Sequence, residues 1–563
     1  MSTVEDKVER VTGVALKRGL FWPSFEIYGG VAGLYDIGPV GVRIKNRIVK
    51  LWRDIVIREN DDLVMEVETP IITPEAVLKA SGHVDHFTDP VVECMQCHRV
   101  FRADHLVEEK LKINAEGLAV NELTQIISTN KIKCPYCDGE LGPVTTFNLL
   151  FKTIIGPYSG STGYMRPETA QGIFTSFKRV FESSRESLPL GIAQIGRVGR
   201  NEISPRQNLI RMRDFTIMEL EFFFDTSQKR NIPWERVEKV KIKVLDLDMK
   251  RQGEKPNEYK PHELATSGKV LDEWMAYWMG VSQKFVEKLG IKNSYFEEKS
   301  PEERAHYSKQ TFDLMVDING TSVEISGIAY RGDYDLSAHM NATGKDLTVF
   351  KRYDTPKTIK KDIILIDKSK LIKAFGERGK SIIEKLSRMT KDELEGIVLS
   401  RKAVDDVIIA EYAIINQTEE KVSGERIVPH VIEPSFGVER CFYLSLINSF
   451  RIKENRNILS LPPEIAPFDL AVFPLLERQP LIDKSKELVR LVKDSGYEVF
   501  YDESGSIGKR YARADEIGIP LAITVDPQTL DDNTVTIRNR DTWEQVRVHV
   551  NNILMTLGEL LHG

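Results

Sequence analysis

The chain has 563 residues, 41% of them hydrophobic and 29% charged, with a formal net charge of −6. That length exceeds one hydrophobic core, so about three or four domains are expected. No apolar run is long enough to span a bilayer and the opening MSTVEDKVERVTG lacks a charged-then-apolar signal, so the expectation is a cytoplasmic protein. The mildly acidic balance argues against indiscriminate nucleic-acid binding, and such a partner would need local basic patches.

Residues 41–58 put Ile44, Ile48, Leu51, Trp52 and Ile55 on one helical stripe, and a strand from Val64 to Thr69 follows, ending at Pro70. Cys94-Met-Gln-Cys97 and Cys134-Pro-Tyr-Cys137 each set two thiols on a tight turn. Together Cys94, Cys97, Cys134 and Cys137 can close a four-thiolate site around a structural zinc ion, with a pair of plain reduced-thiol turns as the alternative. His98 could replace one thiolate, but four are available without it. Cys441, in the apolar run CFYLSL, reads as a core cysteine. Charged helical sequence separates the two cysteine pairs, so 84–146 reads as a zinc-bearing insertion.

Residues 194–225 (QIGRVGRNEISPRQNLIRMRDFTIMELEFFFD) read as two strands joined by a basic loop. Arg200 and Glu202 share a face of the incoming strand, and the loop carries Arg206, Arg211 and Arg213. Phe215 opens the outgoing strand, where Glu219 and Glu221 share one face while Leu220, Phe222 and Phe224 turn into a core. Arginines, an aromatic ring and carboxylates on one face suit a ligand that is polyanionic, then aromatic, then cationic. ATP beside an amino acid fits, and an amphipathic hairpin with a solvated charged face is the alternative.

Residues 269–290 read as a long amphipathic helix. Glu324 and Ser326 lie two apart in a β-rich segment, hence on one face, with Val323 and Ile325 inward. Residues 346–424 read as an inserted α+β subdomain with Lys-rich strands and no recognisable site. Beyond Pro462 and Pro463, strands alternate with helices, which predicts a small α/β domain with a mostly parallel sheet over 465–563. GSIGKR (505–510) lacks the spacer between glycines and the hydroxyl residue after lysine that a phosphate loop needs.

Arg200-Asn201-Glu202, a loop and then Phe215 resemble motif 2 of the class II aminoacyl-tRNA synthetases. FWPSFEIYGGVAGLYDIGPVGVRIKN (21–46), ASGHVDHF (80–87), MRPETAQGIF (165–174), SVEISGIAYRGDYDLSAH (322–339) and HVIEPSFGVER (430–440) resemble the glycyl-tRNA synthetase family, dimeric archaeal and eukaryotic type. The resemblance implies a multidomain α/β protein whose antiparallel-sheet catalytic domain comes from 1–83, 147–345 and 425–464, with insertions at 84–146 and 346–424. It implies an anticodon-binding domain over 465–563, and a homodimer formed through the helix–strand unit of 41–69, which resembles motif 1.

The resemblance also implies ATP-dependent ligation of glycine to tRNA(Gly) through a glycyl-adenylate, with Mg2+ and Zn2+. Arg200 would hold the α-phosphate and reacting carboxylate, Glu202 the adenine amino group, Arg211 the distal phosphates, and Phe215 and Arg440 the two adenine faces. Many relatives have a smaller residue than Glu439 before that last arginine. Glu168, Glu219 and Glu324 would surround the glycine ammonium and Ser326 would wall off any Cβ, with Arg166 and Arg331 as orienting companions. Glu433 and Asp313 are candidates for magnesium, and His83 and His86 read as structural, outside the chemistry. Lys509, Arg510 and Arg513 would contact tRNA, with Arg538 and Arg540 as weaker candidates. A prolyl or threonyl enzyme is one alternative. A ligase-inactive nucleic-acid-binding protein is another, and it should have lost Arg200, Arg211 and Arg440. A zinc-dependent nucleic-acid module would leave the hairpin unexplained.

Overall fold

The computed structural model describes residues 4–562 apart from 116, 158–159, 185, 204, 206–207, 229–230 and 319. It divides into two compact units, residues 1–347 with 429–563, and residues 348–428.

Among the described residues the first unit is organised by a nine-stranded sheet. Its strands are β1 (Val64–Glu66), β2 (Leu190–Gly199), β3 (Asp214–Phe224), β4 (Ile242–Leu245), β5 (Asn257–Tyr259), β6 (Ser294–Glu298), β7 (Gln310–Ile318), β8 (Thr321–Gly332) and β9 (His430–Gly437). They lie in the order β5-β4-β6-β7-β8-β9-β3-β2-β1. Only β1–β2 and β4–β6 are parallel; the remaining neighbours are antiparallel. β9 arrives from far along the chain and inserts between β8 and β3, which brings the 430–440 segment beside the 194–225 hairpin.

Four helices frame this sheet: α1 (Pro39–Trp52), α2 (Ala170–Ser183), α3 (Glu273–Lys288) and α4 (Val438–Ser449). Ile44, Ile48 and Trp52 of α1 are buried, and the helix runs into a π-turn at Arg53–Ile57 that keeps Ile55 in the core. The strand expected to Thr69 stops at Glu66. α3 differs from the amphipathic expectation. It is buried nearly all round, with Trp274 tilted and Trp278 edge-on against Phe222 at 4.6 and 5.2 Å between centroids, and Phe285 edge-on to Phe436 at 5.1 Å. On another side Gly280 lets the helix Pro261–Thr266 pack close, since a Cβ there would meet Pro261 at 2.7 Å. A helix with so little free surface is a core element.

Residues 88–148 form a three-stranded antiparallel sheet (Thr88–Cys94, Val100–Arg102, Leu141–Asn148) with helices Ala103–Leu111 and Val120–Thr129 over a core that includes Val92, Phe101, Leu106, Leu123, Ile127 and Val144. The C-terminal region carries a five-stranded sheet in the order Val499–Tyr501, Leu470–Pro474, Leu521–Val525, Thr534–Asn539, Gln545–His549. Its first three strands are parallel and the last two antiparallel, so the sheet is mixed instead of mostly parallel. The connection after Val525 is the short helix Pro527–Asp532, too short for a parallel crossover. No helix of the described residues is long and apolar enough to cross a membrane.

The second unit is a long antiparallel ribbon, Val349–Ile366 with Ala413–Ile427, ending in three short helices around Leu371, Ile382, Leu386, Val398 and Ile409.

Candidate active site

The site starts where the β2–β3 hairpin ends. Val198 pairs with Phe215 and Gly199 with Asp214, so Arg200 lies one residue past the strand and not within it, as alternation alone suggests. Its backbone N–H still donates to Arg213 O (2.9 Å), its Nε donates to Pro167 O (3.1 Å), and its guanidinium lies 5.5 Å from the Phe215 ring centroid. Arg213 is a pin of the loop and not a ligand candidate. Its Nε and Nη2 donate to Glu202 O (2.9 and 2.7 Å) and its Nη1 to Ala32 O (2.7 Å). Arg211 and Glu202 stay at a loose 3.9 Å, and Arg206 lies outside the described residues.

Arg440, in the first turn of α4, closes the other side. Its Nη1 donates to the Glu324 carbonyl (3.0 Å) and carboxylate (2.8 Å), and its Nε to Ile210 O (3.3 Å). Arg200, Glu202, Arg211, Phe215, Glu324 and Arg440 line one open cavity.

Behind that cavity is a buried carboxylate cluster built on Arg331, which is wholly inaccessible to solvent. Arg331 reaches Glu433 (2.7 Å), Asp335 (2.8 and 3.1 Å) and Glu168 (3.5 Å), and stacks 3.7 Å from the Tyr307 centroid. Glu219 accepts from the Thr169 N–H (2.6 Å) and from the Thr169 hydroxyl. One arginine does not balance this many acids. Burial, reinforced by Glu168 and Glu219 against the pull of Arg331, pushes Glu433 up to about 8. Burial and Glu168 raise Glu219, and burial with Glu433 raises Glu221 well above the ordinary range. Neither Glu221 oxygen has a hydrogen-bond partner among the described residues, as suits a neutral acid. Glu168 goes the other way: burial opposes its charge, but His83 and Arg331 outweigh burial and hold it ionised. The result is a pocket of carboxyls whose charge is incompletely opposed, which favours an incoming cation.

Three expectations need correction. Glu324 does not join this cluster: it is exposed at the cavity rim on Arg440. A β-bulge separates it from Ser326, since Leu314 faces Ser326 while Met315 faces Glu324, leaving Ile325 unpaired. The bulge breaks the alternation on which a shared face depends. Ser326 is buried and donates to Ser435 O (2.7 Å), so Ser435, and not Ser326, lines the cavity. His83 is not remote from this cluster. It is buried with Nε2 3.4 Å from Glu168 and Nδ1 2.9 Å from the Ser81 hydroxyl, while His86 packs 5.2 Å from His306.

Arg166 serves backbone, donating to the carbonyls of Arg197 (2.9 Å) and Thr69 (2.8 Å). Gly196 makes room for it, since a Cβ there would come within 2.0 Å of the guanidinium. Of the two magnesium candidates, Glu433 is taken by Arg331. Asp313, 3.4 Å from Lys299, is pushed up to about 7 by burial and the neighbouring Glu324.

The four cysteine sulfurs lie within 4.8 Å of one another, with Cys94–Cys137 at 3.5 Å and Cys97–Cys134 at 3.7 Å. Tetrahedral zinc with bonds of about 2.3 Å sets sulfurs about 3.8 Å apart, so the donor set fits that ion. His98 points away, to Glu93 (2.9 Å). Cys441 is buried in α4, where burial pushes its thiol up.

A family model described as an anticodon binding domain matches residues 469–560. The whole chain is 51% identical to the glycine–tRNA ligase of Aeropyrum pernix, over 99% of this chain and 97% of that one. It is 45% identical to that of Pyrococcus furiosus (99% and 100%) and 44% identical to that of Thermococcus sibiricus (100% of each). The chain belongs to the glycine–tRNA ligase family.

Within that family frame the C-terminal arginines sort by burial. Lys509 is exposed. Arg510 is 1% exposed, with its guanidinium spent on the carbonyls of Gly505 (3.1 and 2.6 Å) and Pro474, which removes it as a tRNA contact. Arg538 is buried against Asp515 (2.9 and 3.0 Å), and Arg540 donates to Gly518 O (2.8 Å) and Leu461 O (2.9 Å). Arg513 is partly exposed and braced by Asp502 (2.6 Å). Thr169 and Ser435 stand inside the quoted motifs but carry no periodic signal, and no spacing there shows the contacts that His83 and Glu439 make.

Proposed function

We propose that this chain ligates glycine to tRNA(Gly) in two steps, forming glycyl-adenylate from glycine and ATP and then transferring the glycyl group to the tRNA end. The observation that carries this reading is the position of Arg200. It stands between the Phe215–Arg440 cavity and the buried acids, and its charge is felt by both Glu219 and Glu324. A carboxylate held by its ammonium in the acid pocket would meet an α-phosphate at this guanidinium.

The arginine fork binds both anions and opposes the charge that builds on the phosphate as pyrophosphate leaves. Phe215 and Arg440 would hold the adenine between a ring and a cation, Glu202 would accept from its amino group, and Arg211 would meet the distal phosphates. Glu168 and Glu219 would receive the ammonium. Ser435, fixed from behind by Ser326, would close the pocket against any Cβ. Because glycine is smaller than every competitor, overpacking alone excludes the others, and no editing site is required. Magnesium would supply charge neutralisation to the phosphates. Zinc on Cys94, Cys97, Cys134 and Cys137 would tie the two ends of the 84–146 insertion together.

Residues 465–563 would read the anticodon, with Lys509 and Arg513 as contacts, and the 41–69 unit would form a homodimer in the cytoplasm. The remaining division follows the same reading: catalytic segments at 1–83, 147–345 and 425–464, and an insertion at 346–424. Pyrophosphate exchange with each amino acid in turn tests the central reading. Glycine alone should support exchange, and exchange driven by alanine, serine or proline instead would overturn it.

A further inference from the structure

Glu439 follows β9 at the start of α4, immediately before Arg440, and is 1% exposed although it carries a charge. A buried carboxylate is costly unless it is paired and hydrogen-bonded. Here both carboxylate oxygens are engaged. Oε2 accepts the backbone N–H of Thr216 (2.8 Å), and Oε1 accepts the Thr216 hydroxyl (3.1 Å) and Lys45 Nζ (2.6 Å), with Arg197 Nη1 at 3.5 Å. Lys45, from α1, also donates to the Thr216 hydroxyl (2.8 Å), which closes a three-residue ring.

The position of Thr216 gives this ring its meaning. The β3–β9 ladder ends at Ile217–Gly437, because β9 turns there into α4. The Thr216 N–H therefore has no strand partner on that side, and the Glu439 carboxylate takes the place of the missing ladder carbonyl. Phe215 is the adjacent residue on one wall of the cavity and Arg440 the adjacent residue on the other. A single carboxylate thus joins the two walls at the point where neither sheet nor helix does.

We propose that Glu439 is a positioning residue of the nucleotide site: its carboxylate, held by Lys45, fixes the separation of Phe215 and Arg440 to that of an adenine ring. This rests on the reading of those two residues as the adenine walls. Replacing the carboxylate by an amide keeps the shape but loses the ionic bond to Lys45 and one acceptor, and charge-assisted bonds of this kind are worth roughly a tenfold or greater change in binding.

The test is glycine-dependent pyrophosphate exchange by the full-length protein, with KM measured separately for ATP and glycine. Glu439→Gln and Lys45→Met should each raise the ATP KM about tenfold and leave the glycine KM within about twofold, and the double variant should be no worse than the worse single one. Quenching of 2-aminopurine riboside triphosphate, which reports stacking directly, should weaken in the same variants. Should Glu439→Gln not fold, Lys45→Met carries the same comparison. Phe215→Ala is the control: an unchanged ATP KM there would remove the adenine-wall reading itself. If Phe215→Ala raises the ATP KM while Glu439→Gln and Lys45→Met keep wild-type values, or raise both KM values in parallel, the positioning role is overturned and the wall reading stands.

Discussion

Arg331 Nη1 donates to the Glu433 carboxylate at 2.7 Å with neither side chain open to solvent, yet Glu433 is still pushed up to about 8. Burial, with Glu168 and Glu219 behind it, outweighs the pull of an arginine that is shared with Glu168 and Asp335. This imbalance leads to a pH signature.

In the unfolded chain Glu433 would ionise in the ordinary glutamate range, while in the folded protein it keeps its proton up to about 8. Its contribution to stability is therefore full below the ordinary range and is lost as pH rises toward about 8. The ligand-free protein should melt at a lower temperature near pH 8.5 than near pH 6, roughly, and Glu433→Gln should flatten that slope. Glycine affinity should move oppositely and rise over the same window, as the cluster ionises for the ammonium. Calorimetry and glycine KM across pH check both signs.

Arg200→Ala should leave the circular dichroism spectrum and melting point close to wild type. Adenylate formation should fall about a hundredfold or more, the usual scale for removing a positioned donor from a developing anion. Near-normal pyrophosphate exchange in the folded variant would remove Arg200 from the reaction.

His83→Ala withdraws the 3.4 Å partner of Glu168 without touching the cavity lined by Phe215 and Arg440. The glycine KM should rise about tenfold with the ATP KM unchanged, since a hydrogen bond to a buried charge carries energy on that scale. Steady-state exchange kinetics separate the two constants.

Zinc should be present at one ion per chain by elemental analysis of protein purified without chelator. Cys94→Ser with Cys134→Ser should release it, and hydrogen exchange should quicken around Val92 and Leu123 in the insertion core before it quickens in β3. Absence of metal in the wild-type protein would remove the ion from the account.

Lys509→Ala and Arg510→Ala should part company. Loss of a phosphate contact at exposed Lys509 should weaken tRNA binding and flatten its logarithmic salt dependence by about 0.7 to 0.9. Arg510→Ala instead leaves the Gly505 and Pro474 carbonyls without their donor, so it should lower the melting point of the C-terminal domain with the salt slope unchanged.

The motifs announced themselves through residue type and spacing. Paired CxxC turns, an Arg-x-Glu with a following aromatic, and Leu220, Phe222 and Phe224 alternating into a core are all local patterns. The physics behind them, strand alternation and the reach of a thiol on a turn, acts over a few residues. That Arg200, Glu202 and Phe215 would meet at one cavity, and that the four cysteines would cluster, was therefore legible in outline.

Contacts across the sheet were not. Glu324 and Ser326 part because one extra residue at Ile325 enters β8, and nothing in the spacing of VEIS signals a bulge. Arg510 and Lys509 are neighbours in sequence, but one faces the carbonyls of Gly505 and Pro474 and the other faces water. His83 meets Glu168, and Glu439 meets Thr216 and Lys45, across long stretches of chain. The sequence by itself determined which chemical groups the protein possesses and which strands and helices carry them, because those follow from local periodicity. Only the tertiary structure decided which of its many arginines and glutamates are buried, and burial is what turns an ordinary charge into a structural pin or a neutral acid.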